Sequence, residues 1–472
     1  MRLVIFINGL VALFVAGLLF VVAAIFPQTR GLFALAGGMV GVLGGLVALA
    51  VRGGDVAAFR RSHTFLLTSS VWITASLAGA LPLYIYGLSP VDAIFEAFSA
   101  VTTTGSTVMS GLDSTPRGVL MWRAIMQALG GIGFVVAGMA LLPVLRVGGM
   151  QLFRTESSDQ SGKEFGAARA VALATLAIYL GLITLCMLAY LLGGMSPFDA
   201  ITHALTTLST GGFSNYDASF GHFSSGYLQW TATLFMLMGG LPFMWYLRLL
   251  RHRQFASEQV AMMLRSLAVV IVLMTLWLWW RSDHGLAESA RLVAFNVISA
   301  VTTTGYATDD YTAWGPLAVV VFFGLTAVGG CTGSTAGGAK AMRWIIMARS
   351  IRLGMRQVAH PHGIFTIRYE GQRVDQDVVE GVMSFFAVFF VSVAVIAVGL
   401  SLMGLDLATS VSGALTAIAN VGPGVGDIIG PSGNFASLND GAKLLLAFGM
   451  YAGRLEMMTV YVLLLPTFWR NL

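Results

Sequence analysis

The heptapeptide "SAVTTTG" occurs at Ser99–Gly105 and again at Ser299–Gly305. An identical run 200 positions apart points to an internal repeat, and its meaning depends on the solvent around the chain. Of the 472 residues, 57% are hydrophobic and 10% are charged, whereas an ordinary soluble domain is roughly 25% charged. Several stretches reach about 20 apolar residues, enough to cross roughly 30 Å of hydrocarbon. The expectation is an all-α polytopic membrane protein. The first apolar stretch, Val4 to Phe26, is too long for a signal-peptide core and has no small-residue cleavage site after it, so it reads as a retained span.

Ten spans are expected at 3–26, 32–51, 65–87, 119–145, 170–193, 228–250, 263–281, 315–350 (interrupted), 378–403 and 441–467. Four shorter apolar segments lie between them: Val91 to Thr104, Phe198 to Thr210, Ala290 to Thr304 and Leu407 to Val421. At about 14 residues and roughly 20 Å each is too short to cross, and reads as a re-entrant half-helix. "SPVDAI" at Ser89 and "SPFDAI" at Ser196 each supply an N-cap serine, a proline at the first helical position and an acid in the first turn. Glu288 and Asp406 give the other two acidic starts. Each segment runs into a glycine, and Gly105, Gly211, Gly305 and Gly422 lie 106, 94 and 117 residues apart. The organisation is therefore two additional N-terminal spans (1–60) and four repeats of span, half-helix, glycine loop and span, at 61–150, 151–255, 256–373 and 374–472, around one central pore.

Basic residues collect on the side away from the glycine loops: Arg52, Arg60, Arg61, Arg146, Arg154, Lys163, Arg169, Arg248, Arg251, Arg253 and Arg265, then Arg343, Arg349, Arg352, Arg356, Arg368 and Arg373. The glycine-loop side is acidic, with Asp92, Glu96, Asp113, Asp199, Asp217, Asp283, Glu288, Asp309, Asp310, Asp406, Asp427 and Asp440. The positive-inside rule turns the glycine loops outward and both termini to the cytoplasm. Helix capping and solvated loops account for most single acids, although an acidic rim also concentrates cations.

Non-helical backbone at membrane depth is tolerated when buried in protein or lining a water-filled cavity. Glycine lets backbone carbonyls turn towards an axis, and rings of carbonyls replacing a cation's hydration shell make potassium-selective filters. The four loops accordingly read as four filter linings of a single pore, at Thr103, Thr104 and Gly105, Ser209, Thr210 and Gly211, Thr303, Thr304 and Gly305, and Asn420, Val421 and Gly422. The fourth departs from the threonine pattern. A second signal is "GGCTGSTAGG", whose five glycines, Gly329, Gly330, Gly333, Gly337 and Gly338, break the eighth span. It is no P-loop, because Lys340 follows alanine, and no G-x-S-x-G elbow exists. Arg454, a charge within an apolar span, is expensive and suggests function; Glu456, about 200° further round a helix, is not its intrahelical partner.

His203 has no nucleophile and acid beside it, and reads as a packed or capping histidine rather than part of an enzyme. Cys186 and Cys331 permit a disulfide by parity, but read as small apolar fillers. No segment beyond the loop at 350–377 is long enough to form a soluble nucleotide site, and nothing suggests nucleic acid or a resident cofactor.

From Arg60 onwards the chain resembles the potassium transporter superfamily of bacterial Trk-type and Ktr-type subunits and plant and fungal HKT and Trk proteins. The resemblance rests on the four glycine loops, "GGCTGSTAGGAKAMR" (Gly329–Arg343) and "GRLEMMTV" (Gly453–Val460). The two extra spans match the Trk type (TrkH- and TrkG-like) rather than the shorter Ktr type. The resemblance implies K⁺ uptake across a bacterial inner membrane, with K⁺ held by the residues of the four filter linings, Rb⁺ accepted and Na⁺ weaker. It further implies an intramembrane gating loop at Gly329 to Gly338, a pore-facing Arg454 with Lys340 sharing its field, a homodimer, and a cytoplasmic RCK-domain partner of TrkA type that binds nucleotide. The segment Arg343 to Arg373 is where that partner is expected. Passive conduction is the leading reading; a secondary symporter coupling K⁺ to H⁺ or Na⁺ is the alternative.

Overall fold

The computed structural model describes residues 1–51, 61–140 and 164–470. Arg52, Arg60, Arg146, Arg154 and Lys163 lie outside the described residues, as do the repeat boundaries at 60/61 and 150/151. Among the described residues the chain is helical, with one two-residue antiparallel ribbon, β1 (Arg368–Tyr369) and β2 (Gln372–Arg373).

Two N-terminal helices, α1 (Arg2–Ile25) and α2 (Arg30–Ala50), form a tight hairpin. A Cβ added at Gly44 would sit 2.8 Å from the Ala12 Cβ, so small residues set the approach of these backbones. Asn8 of α1 hydrogen-bonds Ser70 and Thr74 of α3 (Arg61–Tyr86), joining the hairpin to the first repeat. The opposite face is apolar and exposed, with Val42, Leu43 and Leu46 as in a lipid-facing surface.

The half-helices are α4 (Pro90–Val101), α7 (Pro197–Leu208), α11 (Leu286–Val301) and α15 (Leu407–Ala419). They form the centre. Ser89 and Ser196 accept the amides of Asp92 and Asp199, and Asp406 accepts that of Thr409, so three of the four begin as their sequences prescribe. Leu286 opens α11 with Gly285 at its cap and Glu288 in its first turn. Around them run the first spans α6 (Glu164–Leu192), α10 (Glu258–Arg281) and α14 (Gln376–Leu402), together with α3.

Two of the four second spans differ from the expectation. The first, α5 (Arg117–Ala140), is continuous over the described residues. The second splits into α8 (Gly226–Gly239) and α9 (Phe243–His252), bent by 90°. The third splits into α12 (Pro316–Thr326) and α13 (Ala341–Ala359). The fourth, α16 (Asp440–Arg454), stops where Glu456 and Met457 take positive φ, and continues only as the short α17 (Met458–Tyr461) and α18 (Pro466–Arg470). The uninterrupted spans expected at 228–250 and 441–467 are therefore each broken. Gly240 and Pro242 punctuate the first; at the second, Glu456 leaves helical backbone and meets the buried Arg343.

Candidate functional site

Each half-helix stops in the same way. One residue takes left-handed backbone: Thr103 (φ 53°), Thr210 (52°), Thr303 (58°) and Asn420 (55°). For a β-branched threonine that conformation costs about 1–3 kcal/mol, and three occurrences at equivalent places mark a constraint on the site rather than accident. The turn returns two amides to the last carbonyls. Thr104 N meets Ser99 O at 2.9 Å, Gly211 N meets Thr206 O at 2.9 Å, Thr304 N meets Ser299 O at 2.9 Å and Val421 N meets Thr416 O at 3.0 Å.

These bonds fix the register. Gly211 stands where Thr104, Thr304 and Val421 stand, and Gly212 is the counterpart of Gly105, Gly305 and Gly422. The triad read from sequence as Ser209, Thr210 and Gly211 moves by one residue, to Thr210, Gly211 and Gly212. With two adjacent glycines the pattern was ambiguous; the residue that takes the left-handed turn resolves it.

The four glycines close a ring. A Cβ on Gly105 would overlap the carbonyl oxygen of Gly211, and one on Gly212 would overlap that of Thr304. One on Gly305 would lie 2.8 Å from Gly422 N, and one on Gly422 would lie 3.1 Å from Gly105 O. Loop one thus meets two, two meets three, three meets four, and four returns to one. All four helix C-termini point into this ring, directing the negative ends of their dipoles at its axis.

Side chains hold the ring from behind. Gln127 of α5 donates to Gly211 O at 2.6 Å and accepts from Phe213 N at 3.1 Å. Asn420 donates to the Thr104 hydroxyl and to Met450 O, and the Ser106 hydroxyl donates to Gly422 O. The hydroxyls of Thr102 and Thr104 pair at 2.7 Å, and those of Thr302 and Thr304 at 2.8 Å. Thr104 and Thr304 therefore present backbone, not hydroxyl, to the axis. On one side a cavity of about 320 Å³ opens, lined by Gly105, Gly212, Gly305 and Gly422.

On the other side the segment between α12 and α13 crosses beneath the half-helices. Gly329 and Gly338, at φ 77° and 72°, close on each other: a Cβ on Gly329 would lie 2.5 Å from Gly337 O. Gly330 abuts Gly240 O, and Gly333, at φ 85°, accepts Phe243 N in the gap between α8 and α9. Gly338 N donates to Ala419 O, Gly337 N to the Thr303 hydroxyl (2.7 Å), and the Thr335 hydroxyl to Leu208 O. The Thr210 hydroxyl donates to that of Thr335 at 3.2 Å. Of the three equivalent threonine hydroxyls under the ring, the segment engages two; Thr103 Oγ1 has no hydrogen-bond partner among the described residues.

Arg454 is buried and donates to Thr335 O (2.9 Å) and Gly130 O (3.4 Å), with its guanidinium 4.2 Å from the Phe134 centroid. It touches the crossing segment directly. Lys340 covers the same ring at 4.1 Å and lies 3.5 Å from Glu456, which meets Arg343 at 2.7 Å. In the sequence Glu456 stands out only beside Arg454, and Arg343 only among the basic loop residues. Both are buried, and the signal was present: an acid in an apolar span needs a partner.

Most acids on the glycine-loop side are engaged. Asp92 binds Lys443, Asp217 accepts the amides of Gly111 and Leu112, Asp199 binds Asn215 and Tyr216, and Asp309 accepts from Trp314. Capping and loop closure explain them. His203 hydrogen-bonds Asp199 O and the Ser214 hydroxyl among aromatic rings, and Cys186 and Cys331 are buried and unbonded to each other.

This geometry meets its relatives at once. The family described as TrkH, cation transport protein, matches residues 37–470. The chain belongs to the TrkH family. It is 51% identical over 415 residues to the Trk system potassium uptake protein TrkI of Halomonas elongata, covering 86% of this chain and 84% of that one. It is 34% identical to the Trk system potassium uptake protein TrkH of Escherichia coli, over 86% of each chain. The crystal structure of the potassium transporter TrkH from Vibrio parahaemolyticus superposes with a TM-score of 0.91 at 30% identity over 99% of both chains. The TrkH family is one of membrane transporters, not of enzymes, and the all-helical multi-span fold is shared with it.

Proposed function

We propose that the chain takes up potassium across a bacterial cytoplasmic membrane, passively and inward, along the axis of the four-glycine ring. The observation that carries this is the closed succession of Gly105, Gly212, Gly305 and Gly422, where a side chain would overlap the neighbouring loop at the first three and crowd it at the fourth. Thr103, Thr104, Gly105, Thr210, Gly211, Gly212, Thr303, Thr304, Gly305, Asn420, Val421 and Gly422 line the ion sites with backbone oxygens; Rb⁺ passes and Na⁺ less well. The charge distribution turns the ring outward and both termini to the cytoplasm. The chain acts as a homodimer with a cytoplasmic nucleotide-binding subunit of TrkA type, received by the arginine-rich stretch expected at Arg343 to Arg373 but without Arg343, which is buried against Glu456. Complementation of a potassium-uptake-deficient bacterium tests the transport. Reversal of flux at the potassium Nernst potential, whatever the pH and sodium, separates conduction from H⁺ or Na⁺ symport.

The glycine-rich segment is the gate. It uses, at Thr210 and Thr303, hydroxyls that a passing ion would meet beneath the ring. Shortening the segment between Gly330 and Gly337 is expected to raise rubidium flux several-fold; a folded variant with normal or reduced flux would make it a packing kink.

Arg454 adds an electrostatic barrier. Two like charges about 6 Å apart at an effective dielectric near 20 repel by roughly 3 kcal/mol, which slows passage roughly a hundredfold. Arg454 bonds carbonyls and no carboxylate among the described residues, so removing it strands no buried acid among them. Arg454→Gln is expected to raise rubidium flux at normal detergent-solubilised yield. Normal yield with unchanged or lower flux rejects the barrier.

A further inference from the structure

The half-helices carry a second quasi-symmetric feature that ion coordination does not use. Seven residues before the left-handed positions 103, 210, 303 and 420 stand Glu96, His203, Asn296 and Gly413. The first three each turn a side chain to the segment leaving the ring. Glu96 accepts Val108 N at 2.9 Å and the Thr107 hydroxyl. His203 Nε2 lies 3.1 Å from the Ser214 hydroxyl, and Asn296 accepts Thr308 N at 3.3 Å while donating to its hydroxyl at 2.9 Å. Where the fourth half-helix has Gly413, the adjacent Ser412 accepts Val425 N and donates to Val425 O. Every outgoing segment is thus braced to its own half-helix, by different chemistry in each repeat.

The first brace differs in kind. Glu96 is fully buried and meets Arg123 of α5 at 2.8 Å. Arg123, itself buried, also donates to Ser214 O of the second loop (3.0 Å) and to the Thr107 hydroxyl of the first (3.1 Å), over the Phe213 ring at 4.0 Å. One turn further on, Gln127 holds Gly211 O and Phe213 N. One face of α5 therefore fixes loop two against loop one, and the guanidinium holds both because Glu96 orients it. Desolvating such a pair costs about as much as its attraction returns. Its value lies in geometry: a planar fork with fixed donor directions is stiffer than the neutral braces.

We infer that Glu96 and Arg123 form a positioning pair for ion discrimination, setting the distance between the first two filter loops without touching the ion. The inference rests on the filter reading above and names the part of the chain that keeps that filter at one width.

The test is rubidium uptake competed by sodium, with folded yield measured by size exclusion in detergent. Glu96→Gln keeps shape and an acceptor for Val108 but releases Arg123. The preference for rubidium over sodium is expected to fall about tenfold, the equivalent of one charge-assisted hydrogen bond's worth of geometry, at unchanged yield. The double variant Glu96→Gln/Arg123→Gln, which pairs two amides, is expected to recover part of it, and that recovery measures the coupling. Full preference in Glu96→Gln at normal yield overturns the inference. So does loss of yield and uptake in proportion with preference unaltered, which is the signature of a purely structural pair. If Glu96→Gln does not fold, Arg123→Lys decides by the same readout: it keeps the charge but loses the fork, and an unaltered preference overturns the pair. Gly422→Ser runs beside them as the filter control. Lowered preference there but not in Glu96→Gln or Arg123→Lys removes the brace alone, whereas unaltered preference in all removes the filter reading with it.

Discussion

Gly212→Ser is expected to bring rubidium uptake to background, while Gly211→Ser retains most of it. At Gly212 the backbone is left-handed (φ 72°) and the new Cβ would overlap the Thr304 carbonyl, a backbone oxygen held by the third loop's own turn. The left-handed conformation alone costs a side chain about 1–2 kcal/mol, and the overlap must push apart two loops of the ring. At Gly211 the backbone φ is not positive, and the obstacle is the Gln127 side chain, 2.5 Å away at its oxygen. The counterparts of Gly211 are Thr104, Thr304 and Val421, so side chains are accommodated at that level elsewhere in the ring. Uptake and detergent-solubilised yield of the two serine variants decide the register. The reverse ranking would restore Gly211 as the ring glycine. Gly105→Ser should match Gly212→Ser, because its Cβ meets the Gly211 oxygen. Gly422→Ser should be milder, since its nearest neighbour stands at 3.1 Å and φ there is not positive.

The second large effect belongs to Glu456. Its carboxylate is buried at 3% exposure between Arg343 at 2.7 Å and Lys340 at 3.5 Å. Glu456→Ala takes a buried carboxylate away from two buried cations, a change worth about 3–5 kcal/mol of stability, against a total of about 5–15 kcal/mol for a folded protein. Folded yield and the apparent melting temperature in detergent should both drop sharply. Glu456→Gln/Lys340→Met should recover part of the loss by removing one cation with the acid. This is opposite to Arg454→Gln, whose yield stays normal, although the two residues are neighbours at the same break. A Glu456→Ala protein melting with the unsubstituted one would show the pair to be unimportant.

Much of the architecture was legible because membrane burial imposes a few strict rules. Span length, capped half-helix starts and glycine at loop ends are local features, so Ser89, Ser196 and Asp406 announced their helices correctly. The repeated heptapeptide exposed the internal repeat for the same reason: two loops solving one backbone problem use one solution. The break at Gly329 to Gly338 was readable from glycine density. The break at Gly240 to Pro242 was weaker, since one proline bends as often as it breaks a helix; the Gly333 carbonyl accepting Phe243 N is what fills the gap.

Other features depended on residues distant in sequence. Glu456 meets Arg343 and Lys340, which lie more than 100 positions earlier in the chain. In the sequence Gln127 and Arg123 draw no notice, and Glu96 is one of a dozen acids on the glycine-loop side. Their meaning arises only when α5 lies behind two loops at once. By itself, the sequence determined that this is a multi-span helical membrane protein with four half-helices, each ending in a glycine loop, because hydropathy, caps and glycine act within a few residues. The tertiary structure alone decided which loop meets which around the expected pore, that Gly212 rather than Gly211 is the counterpart of Gly105, Gly305 and Gly422, and which buried charges find each other. Those outcomes depend on which carbonyl stands within van der Waals reach of which backbone, and on desolvated charges pairing across the fold.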